Sequence, residues 1–269
     1  MSTYGAGAFW SQRLEARIKA MSLPGWQETM RATAVTAEID DSNGSWVDER
    51  WHAQRVRELW PIAKQWLHER GTSQPVEYAL NDSLFGKPLL QSMPSCQAVN
   101  LSSLEYGMMT ASVQTARQLT NAAVVEIGSG YGGLTLRLLR LMPEMYTSID
   151  LEPMLKIQHE YLKATATIAE VCSWRGVDCR DADSVKDALG SASIAINTRS
   201  FMEMDIEQVR RYVAAMEDFL PHGAIFYSVN RDKVTKFSDW GMTPERWRTV
   251  SATPWPLRPG MVERVFEKR

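Results

Sequence analysis

The chain has little cysteine, little histidine and almost no net charge. Its cysteines are only three, Cys96, Cys172 and Cys179. They are odd in number and lack C-x-x-C spacing, which argues against a disulfide framework and a zinc knuckle. No cluster of residues requires a metal. The formal charge of −2 and a pI near 6.1 provide no broad positive field for nucleic acid. No run approaches the ~18 apolar residues of a membrane span. Met1 to Arg17 also lacks the apolar stretch of a signal peptide. A cytoplasmic protein with a small-molecule partner is therefore expected, without nucleic acid and without membrane insertion.

What the chain does have is a core. With 269 residues, 44% of them hydrophobic, it can bury one full core with a small appended part. Ten tryptophans gather toward the first 70 and the last 30 residues, as core packing or the lining of a lid. Helical spacing is read at 8–21 and 47–70, the latter placing Trp51, Leu59, Ile62, Trp66 and Leu67 on one side and a kink at Pro61. The stretch "NDSLFGKPLLQSMPSCQ" (81–97) breaks all periodicity and predicts a loop or irregular hairpin. The expected division is thus an N-terminal helical region or lid, 1–80, and a main domain, 81–269.

From residue 101 onward, helix and strand alternate. A helix to Gln118 leads to a strand at 123–127, a helix at 133–141, a strand at 145–150 and a helix from Pro153. A weak strand at 170–174, a helix at 183–189, a strand at 193–198, a helix at 206–220 and a strand at 224–229 follow. Asp205 with Gln208 resembles a capping pair for the last helix. Strands near 247–252 and 261–267, joined by "TPWPLRPG", suit an antiparallel pair. The alternation implies an α/β architecture, a parallel sheet with helices on both faces.

Four glycines crowd six positions in "VVEIGSGYGGLTLRLLR". Gly128, Gly130 and Gly133 form G-x-G-x-x-G between a strand and a helix, and Asp150 ends the next strand. Bare backbone there lets a ligand approach closely, and the aspartate can accept two ribose hydroxyls. An adenosine-type cofactor is expected. A dinucleotide fold would place this fingerprint near the start of its sheet, whereas ~120 residues precede it here and the chain closes on an antiparallel pair. Glu126, two residues before the glycines, also suits a cofactor with a cationic amino-acid end better than an anionic pyrophosphate. The methyl donor S-adenosylmethionine is favoured over a nicotinamide dinucleotide.

These residues resemble the cofactor half of class I S-adenosylmethionine-dependent methyltransferases, through "VVEIGSGYGGLTLRLLR" and "SIDLEPMLKIQHEYL". The resemblance implies a Rossmann-like fold, a seven-stranded, mostly parallel sheet whose last strand is antiparallel. More narrowly, "FGKP" (85–88), "INTRSFMEM" (196–204) and "GAIFYSVNR" (223–231) resemble the sugar O-methyltransferases of bacterial saccharide-modification clusters, over about residues 80–232. By that resemblance Glu126 and Asp150 hold the cofactor, and Asp181 with Ala182 meets the adenine. Ser129, Tyr131, Leu151 and Asn197 complete the cofactor set, with "IDLEP" one residue longer than the expected pattern after Asp150.

An acceptor should bind outside the carboxyl ends of the strands. That rule selects Arg199, Asn230 and Arg231 as acceptor-binding residues, the arginine forks suiting a carboxylate or phosphate. Methylating a hydroxyl benefits from a base, worth ~10²–10⁴-fold. His222 lies at the wrong end of the sheet, His159 well inside a helix, and His68 beside charged neighbours. His52 is the remaining histidine, and Glu203 leads by position, with Phe201, Met202 and Met204 as an apolar surround that would raise its pKa. An N-methyltransferase, needing no strong base, is the alternative.

Overall fold

The structure, a computed structural model, describes residues 49–71, 90–94, 96–231 and 236–269. The helix read at 8–21, the "FGKP" segment and the division near residue 80 lie outside the described residues.

Helix α1 (Glu49–Glu69) runs through Pro61. A short antiparallel hairpin follows, β1 (Gln91–Met93) and β2 (Cys96–Val99), overlapping the end of the stretch read as a loop or irregular hairpin. Helix α2 (Leu101–Ala116) starts on a reciprocal cap: Asn100 Oδ1 accepts from Ser103 N and Ser103 Oγ accepts from Asn100 N. Then come β3 (Ala123–Ile127), α3 (Gly133–Leu139), β4 (Met145–Asp150), α4 (Glu152–Thr165), α5 (Ile168–Cys172) and β5 (Trp174–Asp178). The chain continues through α6 (Ala182–Ser191), β6 (Ile194–Thr198), α7 (Ile206–Phe219), β7 (Ile225–Arg231), β8 (Trp247–Pro254) and β9 (Met261–Lys268).

Seven strands form one sheet in the order β5-β4-β3-β6-β7-β9-β8. Strands β3 to β7 pair in parallel, while β9 runs antiparallel to both β7 and β8. The predicted Rossmann-like sheet with its antiparallel last strand is present. Side-chain alternation divides the core between its faces. Val124, Tyr146, Ile194 and Tyr227 pack with α1 to α4 on one face, and Val125, Ile127, Ile149 and Phe226 with α6 and α7 on the other.

Three expectations are corrected. The third strand lies at 174–178, not 170–174, because Thr167 and Glu170 cap each other over 2.6 and 3.3 Å and hold 168–172 as helix. On α1, Trp51 and Ile62 are 46% and 37% exposed, whereas Val56, Trp60 and Ala63 join Leu59, Trp66 and Leu67 in the core. Asp205 occupies the N-cap of α7 without a side-chain capping bond. Helix α1 is fastened to the main body by Trp66 Nε1, which donates to Ser112 Oγ over 3.1 Å, and by Arg70, paired with Glu263 at 3.1 Å. No helix among the described residues is long and apolar enough to cross a membrane.

Candidate functional site

The glycine turn connects β3 to α3 at the carboxyl end of the sheet. Gly128 has φ +73°, and a Cβ there would lie 2.2 Å from Ser200 Oγ, so only glycine lets the two turns touch. Ser200 Oγ and Asn197 Nδ2 both donate to the Ile127 carbonyl, over 3.0 and 2.9 Å, binding this turn to the end of β6. Gly130 differs. Its φ is +58°, but a Cβ would meet nothing within 4 Å, so its outer side is open. Its N–H donates to Asp150 Oδ2 over 2.9 Å, and Leu151 N donates to Oδ1 over 2.7 Å. The aspartate therefore stands beside the uncovered backbone, held by a backbone N–H on each oxygen.

Behind the turn lies a buried polar chain. Glu126, 1% exposed, accepts at Oε2 from Tyr146 (2.6 Å) and Thr135 (2.7 Å). Thr135 Oγ1 accepts from Gln158 Nε2 at 2.6 Å, and Gln158 Oε1 accepts from Ser129 at 3.1 Å. Burial pushes the Glu126 carboxyl up to about 7, against the two hydrogen bonds, with Asp150 adding to the rise. Tyr131 is enclosed between Tyr106 and Tyr161 at centroid distances of 6.1 and 5.2 Å, facing the helices behind the turn. The sequence reading missed Thr135, Tyr146 and Gln158; a polar residue on the inner face of a helix was the only signal for Thr135 and Gln158, and Tyr146 on β4 gave none.

Beyond the end of β5, Asp181 caps α6, accepting from Ser184 N and Oγ at 3.2 and 2.7 Å, and Ala182 is the first residue of that helix. Those bonds to Ser184 hold the Asp181 carboxyl below its usual range. Asp178 is in register with Asp150 across β4 and β5, and Arg180 pairs with it and with Glu152, the latter at 3.4 Å. This rim was also missed, since it depends on where β5 ends.

Near the carboxyl ends of β6 and β7, Asn197 and Asn230 have no exposed surface. Asn230 Nδ2 donates to Asn197 Oδ1 and Ser228 Oγ, both at 2.8 Å, and its Oδ1 accepts from Met202 N at 3.2 Å. The expected ligand contacts of these two amides are revised: their groups are engaged inside the protein, and they shape the turn after β6. Arg199 sits in that turn with φ +65°, donating to Glu105 Oε2 and to the Tyr106 hydroxyl, each over 2.8 Å. Arg258, from the β8–β9 connection, pairs with the other oxygen of Glu105. Arg231 ends β7, with its Cγ 3.8 Å from where a Gly260 Cβ would be.

Glu203 closes a 3₁₀ turn (Phe201–Glu203), half-buried and within electrostatic reach of Arg199. Phe201 and Met204 pack into the α6/α7 side of the core, Phe201 against Tyr212 and Trp240, so the expected apolar surround of Glu203 is corrected for these two. His52 is buried on α1, its Nδ1 has no hydrogen-bond partner, and burial lowers its pKa. His159 stacks on Trp174 at 5.7 Å, while His68 and His222 are exposed. Among the described residues no group of three or more His, Cys, Asp or Glu could hold a metal ion.

No protein-family model matches the chain, and no curated protein is significantly similar to it. Solved structures are similar. The glycopeptide N-methyltransferase MtfA complexed with S-adenosylmethionine gives a TM-score of 0.50 at 16% identity, over 60% of this chain and 92% of that one. The same enzyme with sinefungin gives 0.50 at 15%, over 60% and 92%, and with S-adenosylhomocysteine 0.50 at 15%, over 60% and 88%. At such identities the likeness establishes the fold. The chain has the Rossmann-like fold of class I methyltransferases.

Proposed function

We propose that the protein is an S-adenosylmethionine-dependent methyltransferase that methylates a hydroxyl of a sugar or sugar-bearing metabolite. The observation that carries the donor half is the meeting of Gly130 and Asp150: open backbone and an ordered carboxylate at one strand end, the pair that an adenosyl ribose needs. The fold shared with MtfA, solved with S-adenosylmethionine and its product, supports the same donor. Bound there, the donor supplies a methyl group on a cationic sulfur. The chain's residues do the rest. Asp150 holds the ribose, Gly128 to Tyr131 line the donor with backbone, and Glu126 places a titrating carboxyl beneath the turn. Leu151, Asp181 and Ala182 flank the adenine.

For the acceptor, Glu203 takes the hydroxyl proton as the new bond forms, with His52 as the other candidate, while Arg199 and Arg231 stand at the strand ends where an acceptor enters. The resemblance of "INTRSFMEM" and "GAIFYSVNR" to sugar O-methyltransferases favours a saccharide. A second reading, N-methylation of a small molecule, is favoured by the likeness to MtfA, an N-methyltransferase. Glu203→Gln separates the two. O-methylation predicts a fall in kcat of ~10²–10⁴-fold, and an unchanged kcat favours the amine acceptor. A cytoplasmic location belongs to the same proposal, supported by Cys172 and Cys179 being free thiols.

A further inference from the structure

The cluster of Arg199, Glu105 and Arg258 joins three elements that the sequence separates widely: the turn after β6, helix α2 and the β8–β9 connection. All three meet at the carboxyl end of the parallel strands. Arg199 N–H donates to the Val229 carbonyl of β7 over 2.8 Å, and Arg231 at the end of β7 is in register with Met261, which follows the Arg258 segment. The cluster is asymmetric in its exposure. The Glu105 side chain is 3% exposed, whereas both arginine side chains keep 17%. The carboxylate is hidden, and the two arginine side chains reach the surface.

Arg199 is the informative member. A non-glycine residue at φ +65° is strained by about 1–2 kcal/mol and persists only where its surroundings hold it. Here Glu105 and Tyr106 hold it through one N–H on each terminal nitrogen. A guanidinium has five N–H donors in a rigid fork, so three of them are left by these bonds on a side chain that solvent still reaches. Glu203 brings the four charges to balance, so recognition here rests on directed donors and not on a net positive field.

We propose that Arg199 and Arg258, anchored together on Glu105, form an oxyanion subsite of the acceptor cleft, which takes a carboxylate or phosphate carried by the acceptor. Planar forks match both groups. An acceptor held there by its anion stands beside Glu203, the candidate base. The inference rests on the methyltransferase reading and names its substrate class: an acidic sugar or a sugar phosphate in place of a neutral one.

The test is calorimetry at saturating S-adenosylhomocysteine, with glucuronate, glucose 1-phosphate, inorganic phosphate and neutral glucose as probes. At least one of the three anions should bind tenfold or more tightly than glucose, with the preference between carboxylate and phosphate identifying the group. Arg199→Lys, which keeps the charge and loses the fork, and Arg258→Gln should each weaken that anion at least tenfold while leaving S-adenosylhomocysteine affinity within twofold. Thermal melts select the variants that stay folded, and either one alone decides. Equal binding of anions and glucose by the wild type overturns the subsite. So does a loss of S-adenosylhomocysteine affinity in the variants equal to the loss of the anion, which assigns the arginines to the donor's own carboxylate. If the wild type does not bind S-adenosylhomocysteine at all, the methyltransferase reading itself fails.

Discussion

Tyr146 and Glu126 meet inside the protein, the phenol donating to Glu126 Oε2 over 2.6 Å although the two side chains are only 0% and 1% exposed. They are diagonal neighbours on one face of the sheet, Tyr146 pairing with Val124 two residues before Glu126. A carboxyl buried there is costly to ionise. Its two hydrogen bonds offset only part of that cost.

That cost gives the stability a pH dependence. The folded pKa of Glu126 is raised, to about 7 from 4.5, chiefly by burial. Above the unfolded pKa the unfolded chain has released this proton while the folded chain retains it, so stability falls between pH 4.5 and 7 and levels off above 7. Glu126→Gln removes the titration. Denaturant unfolding across pH 4.5–8 should show the variant gaining on the wild type as pH rises, by up to about 3 kcal/mol. A pH-independent difference would contradict this.

Gly128→Ala should destabilise the fold by about 2–4 kcal/mol, combining left-handed strain with overlap onto the Ser200 side chain. Ser200→Gly in the same chain removes the overlap and leaves the strain. A double-mutant cycle by chemical denaturation should therefore return a favourable coupling of about 1–3 kcal/mol, and strict additivity would show that the turns do not press on each other.

Gly130→Ala behaves differently, because its Cβ would point into open space. The expected stability cost is only about 1–2 kcal/mol of backbone strain. The added methyl occupies the donor's approach, so S-adenosylhomocysteine affinity should fall tenfold or more in a protein that still melts cooperatively. An unaffected affinity in calorimetry would place the donor elsewhere.

Much of the sheet was legible because strands such as "VVEI" and "IAIN" are buried on both faces and read as apolar runs. Strand β5 was not. It lies at the sheet edge, Trp174, Arg175 and Gly176 are not buried, and its neighbour α5 carries a capping box instead of a turn signal. Asp150 and the glycines announced themselves through spacing along the chain. Glu105, Arg258 and Gln158 did not, since their partners lie 94, 153 and 29 residues away and only the folded sheet brings them together. Asn197 and Asn230 were found by position, but which side of the backbone they serve depends on packing. Trp51 and Ile62 show the same gap on α1, where helical spacing admits two neighbouring faces and burial chooses one.

The most direct measurement is a calorimetric titration of S-adenosylhomocysteine into the wild-type protein and into Asp150→Ala. A ribose held by a charged acceptor predicts saturable binding to the wild type and a loss of about tenfold or more in the variant, since hydrogen bonds to charged groups contribute about 1.5–3 kcal/mol. Absence of binding to the wild type, or equal affinity in the two proteins, would contradict a methyl donor seated between Gly130 and Asp150.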